Sequence, residues 1–294
     1  MSMIKCEFTF HNAGLWHPKP ITFPCSHLYK VLPDGKQWVY WEAAAALLQV
    51  SKIYDLEHIR EDAIAALEYL LPTTGKPERH KAIIAGLQTK DNERFLRFFP
   101  LQAVNLCHEC EVPAMLPMAF YHAAQCPIED IVNGVEDNHG QLVTLDRNDV
   151  ITVLKGRDKL QASRRRFLDC IDDRLADFQP DREGDYPEPI CLRESTNHWG
   201  ESDGCMQLLA DMTRRFRRTA FLEGYNILDG MSRTGFKTLE RNLCPACRDI
   251  ILPKICKGIL KDWDLLPSYF GLGSWEDILK QEKLWTEAYD GNYS

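Results

Sequence analysis

Two cysteine pairs have a spacing that could do chemistry: Cys107 with Cys110, and Cys244 with Cys247 in the run Cys244-Pro245-Ala246-Cys247. A C-x-x-C pair presents two thiolates from one turn, half of the tetrahedral set that zinc takes in a structural site. Cys107 and Cys110 fall in an amphipathic stretch with no second pair beside it, so they read as core thiols, where cysteine behaves as a small hydrophobe. Cys244 and Cys247 have company upstream. Cys191 and Cys205 are separated by thirteen residues, Leu192 to Gly204, far wider than the spacing within ordinary zinc modules. The candidate metal set is Cys191, Cys205, Cys244 and Cys247, with His198 or Cys256 able to replace one member. The cofactor such a set implies is a structural zinc; the competing reading is buried or surface thiols.

Other chemistry is thinner. There is no G-x-x-x-x-G-K-[ST] run, and Gly271-Leu272-Gly273 meets Glu276 where a dinucleotide fingerprint needs its third glycine. Cys107-His108-Glu109-Cys110 lacks the second histidine of a zincin. Asp172, Asp173 and Asp177 could imitate a magnesium site, yet Arg174 and the arginines at 164–166 make a solvated, salt-bridged helix face the simpler reading. Arg214, Arg215, Arg217 and Arg218 flank an apolar Phe216 and read as a solvated face or as a phosphate-binding strip. No catalytic set can be assigned, and the expectation is a non-enzyme. The alternatives are a zinc-stabilised nucleic-acid-binding regulator and a cysteine-dependent hydrolase.

The elements that must position these residues are helical. The 294 residues are 45% hydrophobic and 27% charged, ordinary for a soluble globular chain. A formal charge of −8 speaks against a protein built around nucleic acid. Eleven cysteines cannot all pair within one chain, and the N-terminus lacks a secretory apolar region, so an intracellular location, cytoplasmic or nuclear, with reduced thiols and no membrane association is expected. Residues 1–37 are punctuated by prolines. From there Trp41, Ala44, Ala45, Leu48 and Lys52 have helical spacing, and Asp55 is placed to cap a second helix whose apolar face is Ile59, Ala63, Ile64, Leu67 and Leu71. Unless other segments cover it, this hairpin would expose Leu48, Ile64 and Leu67.

A third helical block spans 100–125, broken at Pro113 and resumed with Pro117 in a first turn. The cluster at 133–140 is a turn. Asp146 caps a long helix with Val150, Val153, Leu154, Leu160, Phe167, Leu168, Ile171 and Leu175 on one face, and Gly156 is its weak point. An acidic, proline-rich excursion at 178–203 precedes a helix over 206–221 and further helical texture over 238–261. Trp199, Trp263, Trp275 and Trp285 are best explained by packing. The reading is mainly α, in three parts: 1–72, 73–180 and 181–294.

Several stretches, taken in order, resemble one family. The run from Ala44 through Leu48, Lys52-Ile53-Tyr54-Asp55-Leu56 and on to Arg60 resembles the closing helical hairpin of a BTB/POZ domain. Ala114-Met115-Leu116-Pro117-Met118-Ala119-Phe120-Tyr121 is similar to a segment of the large BTB sub-family of mushroom-forming fungi. So are Leu154-Lys155-Gly156-Arg157-Asp158-Lys159-Leu160 and Leu266-Pro267-Ser268-Tyr269-Phe270-Gly271-Leu272, with Trp275-Glu276-Asp277 after it. The resemblance covers roughly 38–280. It implies the C-terminal hairpin of a BTB/POZ domain followed by an irregular helical region, and an adaptor or regulatory scaffold whose partners are proteins. Residues 1–37 do not resemble the N-terminal part of that domain. The homodimer and ligase-scaffold docking typical of BTB proteins rely on that part and are not carried over. On charge and on the shortness of its apolar runs, neither nucleic acid nor a membrane is expected as a partner.

Overall fold

The computed structural model describes residues 29–31, 37–39, 41–73, 93–177, 204–218, 224–228 and 239–281. The chain divides into two compact units, Met1–Pro72 and Thr73–Ser294. It is mainly helical, with 74% of the described residues in helix and 3% in strand.

In the first unit, strands β1 (Tyr29–Val31) and β2 (Gln37–Val39) pair antiparallel, Lys30 opposite Trp38. Helices α1 (Trp41–Tyr54) and α2 (Glu57–Leu67) pack against each other. The turn between them corrects the expectation for Asp55. It does not cap α2: Leu56 holds that position, with no side-chain cap. Asp55 instead takes a left-handed φ of 54° that closes α1, and the Leu56 N–H donates to the Ser51 carbonyl at 2.9 Å. Aspartate is among the few residues that tolerate this conformation, so its backbone rather than its carboxylate ends the helix. Leu48 and Leu67 are buried and Ile64 is half-buried, so the hairpin's apolar face is covered. Among the described residues of this unit, the exposed large apolar side chains are Ile53 and Tyr54, at the end of α1.

The second unit is built round a short helix, α4 (Leu116–Ala123), whose eight residues are all buried. Pro117 sits in its first turn, as its missing N–H allows. Helices α3 (Glu93–Glu109), α6 (Arg147–Asp177) and α8 (Pro245–Tyr269) pack on it. Pro100 lies inside α3 rather than opening it. Between α4 and α6 come α5 (Ile128–Asn133) and a two-residue antiparallel pair, β3 (Val135–Glu136) with β4 (Leu142–Val143). The Asp137 carboxylate accepts the His139 and Gln141 N–H groups across that turn. The Asp130 carboxylate of α5 accepts from Arg97 Nη2 at 2.8 Å and Nε at 3.1 Å, tying α5 to α3. Helix α7 (Cys205–Arg218) packs on α6.

Helix α8 continues through Pro267, beyond the end its sequence texture suggests. A proline cannot return a hydrogen bond to the carbonyl four residues back. Here that carbonyl belongs to Trp263, and the Trp275 indole N–H donates to it at 2.8 Å, with the two indoles stacked 5.2 Å apart. The tryptophans pack together, and one repairs the backbone bond that Pro267 removes. Trp275→Phe keeps an aromatic ring but leaves the Trp263 carbonyl without this donor. We expect a loss of about 1–3 kcal/mol in urea denaturation, and an unchanged midpoint would contradict this role for the indole N–H.

Candidate metal centre

Three of the four cysteines singled out by spacing come together. Cys205 is the first residue of α7, Cys244 is the N-cap of α8, and Cys247 lies in the first turn of α8. Their sulfur atoms all lie within 4.8 Å of one another, and all three residues are buried. The sequence dictates this locally. Pro245 at the first helical position has its φ preset for helix and no N–H to lose, so α8 starts immediately after Cys244. The two intervening residues return the chain by most of a turn, which brings Cys247 back beside Cys244. Leu209 from α7 and Leu239, Leu243 and Ile251 around α8 enclose the thiols. Leu208, Met212 and Leu252 pack against that cluster.

Backbone hydrogen bonds point at the sulfurs. The Cys244 N–H donates to Cys205 Sγ at 3.1 Å, and the Cys247 N–H donates to Cys244 Sγ at 3.5 Å. Both arise at a helix N-terminus, where the backbone carries partial positive charge. Backbone N–H groups aimed at sulfur are the kind of outer contact that orients the ligands of a metal. The donors are all sulfur and buried, so the cluster is compatible with a metal ion.

The remaining candidates separate. Cys191 and His198 lie outside the described residues. Cys256 lies in α8, nine residues beyond Cys247, which at 1.5 Å per residue is about 13 Å of helical rise. It cannot share an ion with Cys247. Cys107, in α3, and Cys110, just past its end, are buried in the core of the second unit. The side chains of Asp172, Asp173 and Asp177 lie outside the described residues. Gly271 and Gly273 adopt left-handed φ values of 75° and 86° in the loop after α8, and the following turn is capped by Ser274 and Asp277, each bonding the other's backbone N–H.

One polar group escaped the sequence reading. The Asp262 carboxylate of α8 accepts both the Ser163 hydroxyl of α6 and the Tyr269 hydroxyl, the latter at 2.9 Å. Asp262 lies seven residues before Tyr269 on one helix, a spacing that brings both to one side, but nothing in the sequence pairs them with Ser163.

Helix α7 carries the thiol on one end and arginines on its outer side. Leu209 and Thr213 are buried, whereas Arg214, Arg215 and Arg217 are exposed, and Arg214 pairs with Asp211 at 2.9 Å. Comparison with protein-family models, with curated proteins and with solved structures finds no match to this chain. No helix among the described residues is long and apolar enough to cross a membrane.

Proposed function

We propose that this chain is a non-enzymatic protein–protein interaction protein of BTB/POZ type, an adaptor or regulatory scaffold working in the cytoplasm or nucleus. Its partner is a short acidic protein segment that docks on the outer face of α7. A structural zinc at Cys191, Cys205, Cys244 and Cys247 belongs to the same reading. The observation that carries the docking surface is charge segregation. Residues 205–218 and 239–261 hold nine Lys and Arg against three Asp and Glu, in a chain whose formal charge is −8. Three of those arginines are exposed on one helix, where their forked donors suit carboxylates.

The same arginines could meet phosphates, and magnitude decides between the two. Duplex binding neutralises roughly six to ten phosphates over a broad basic face. The acidic remainder of the chain would repel so extended a polyanion. A peptide of a few carboxylates responds only to charges within about 8 Å, the screening length at physiological salt, and α7 itself carries four arginines against one aspartate. The six described thiols, all buried, also suit packing or metal ligation better than nucleophilic attack.

The test titrates the full chain with a fluorescent Asp/Glu-rich peptide and, separately, with duplex DNA. Peptide binding should weaken at least about tenfold in Arg214→Gln/Arg215→Gln/Arg217→Gln. A duplex held more tightly than the peptide at physiological salt would replace this reading with the nucleic-acid one. Peptide affinity indifferent to the triple substitution would remove α7 as the docking surface.

A further inference from the structure

We infer that the sulfurs of Cys205, Cys244 and Cys247 ligate one zinc ion that clamps the first turn of α7 to the first turn of α8. This rests on the structural-zinc part of the preceding reading and deepens it, naming the described ligand atoms, the metal class and the elements held together.

Three independent features converge. The first is distance. A tetrahedral site with bonds of about 2.3 Å sets its sulfurs about 3.8 Å apart. Thiols already within 4.8 Å of one another need to close by no more than about 1 Å, a rotamer adjustment at the ends of side chains. The second is the residue type at the helix cap. An N-cap position strongly favours Ser, Thr, Asp or Asn, whose oxygen accepts a backbone N–H. Here Cys244 does that work through sulfur. A neutral thiol is a poor acceptor, whereas a thiolate caps as a carboxylate does. The third is the Cys244 N–H aimed at Cys205 Sγ, a bond between two segments nearly forty residues apart. It fixes the sulfur of α7 at the mouth of α8.

Thiolates brought together in an apolar enclosure repel one another and cannot stay charged without a cation. An all-sulfur donor set selects a soft or borderline ion such as zinc over magnesium or calcium. Each Zn–S bond that forms releases the thiol proton to solvent, so loading proceeds with proton release and tightens as pH rises toward neutrality. Among the described residues, the apolar contacts at this junction come from Leu209, Leu239, Leu243 and Ile251 with their partly buried neighbours, and the ion adds three bonds to that packing. The ion therefore acts on folding of this region, not on a substrate.

The experiment measures metal on the purified full chain and then replaces it with cobalt(II). About one zinc per chain is expected. The cobalt form should show the thiolate-to-metal charge-transfer band and the intense visible bands of tetrahedral coordination. Cys205→Ser and Cys247→Ser should each abolish those bands, whereas Cys107→Ser, a buried cysteine elsewhere, should leave them unchanged. Because a ligand variant can simply misfold, the wild-type chain is also treated with a chelator. Thermal stability should fall and return with zinc but not with magnesium. Metal-free protein of full stability, or a cobalt spectrum insensitive to Cys205→Ser, would overturn the inference. Acidic-peptide binding is scored separately: protein without metal that still binds the peptide sinks the clamp and leaves the docking surface. Metal-loaded protein that ignores the peptide does the reverse.

Discussion

Phe270→Ala is expected to cost about 3–5 kcal/mol of folding stability, and Gly156→Ala in the same chain should then cost less than it does alone. The Phe270 ring is buried and stacks on Phe120 of α4, centroids 5.5 Å apart. The ring also meets the bare backbone of α6 at Gly156. A Cβ built on that glycine would fall inside the ring's contact distance. Such an overlap is cheap when the neighbour is a flexible tip. Phe270 is held on one side by Phe120, so it cannot yield without disturbing α4, whose eight residues are all buried. Overpacking of this kind costs about 1–3 kcal/mol. The helix gains about 1 kcal/mol from exchanging glycine for alanine. Gly156→Ala alone should therefore be destabilising by up to about 2 kcal/mol. Once Phe270 is alanine, the clash is gone and the new methyl fills part of the cavity, so only the propensity gain remains. Urea denaturation of both single variants and the double variant measures the coupling. Strict additivity would mean that the ring does not set the requirement for glycine at 156.

Gly156 also shows where sequence reading stops. Periodicity placed the helix across it correctly, since Val153 and Leu160 are both buried on the inner face. The glycine looked like a propensity defect because its partner lies 114 residues on, and no local rule connects them. The same division recurs. Helices α1, α6 and α7 were legible because their apolar residues repeat every three or four positions, and Asp146 was legible as a cap, its carbonyl taking the Val150 N–H. Asp55 was misread because its side chain advertises a cap while its backbone tolerance of positive φ was what the turn used. Pro267 marks a helix end by local rules, yet α8 passes through it, with the Trp275 indole donating to the carbonyl that the proline leaves. For the candidate metal centre, spacing paired Cys244 with Cys247 at once. Cys205 was only one of several possible companions until the fold set α7 against the start of α8. Burial and the N–H bonds to sulfur could not be read from spacing at all.

The second large effect is expected at high pH. Cys126 lies buried after α4, and burial first, then the neighbouring Asp130 carboxylate, push its thiol up from about 9 to about 12 against the opposing pull of Arg157 and Arg97. Burial also raises the Tyr269 phenol to about 12, with Asp262 adding to the rise and the Ser163 hydrogen bond opposing it. Both groups are neutral when protonated. In the unfolded chain they ionise from about pH 9 for the thiol and about pH 10 for the phenol, while the folded protein keeps its protons. The native state then binds more protons than the unfolded one, so the slope of stability against pH is negative. The stability is intact below pH 9 and is lost as pH rises toward 12. With both groups engaged the slope approaches about −2.7 kcal/mol per pH unit, two protons at 1.36 each. The Cys126 share over its full shift is about 4 kcal/mol at most, and the Tyr269 share is smaller because that ring is less deeply enclosed. Urea midpoints taken from pH 8 to 11 should fall steeply. Cys126→Ser offers the His122 carbonyl a hydroxyl in place of the thiol, which lies 3.7 Å from it, and has nothing to ionise in this range. That variant should lose its own part of the slope, while the tyrosine part, set first by the burial of Tyr269, persists. If wild type and Cys126→Ser decline in parallel, the thiol is not what destabilises the alkaline form.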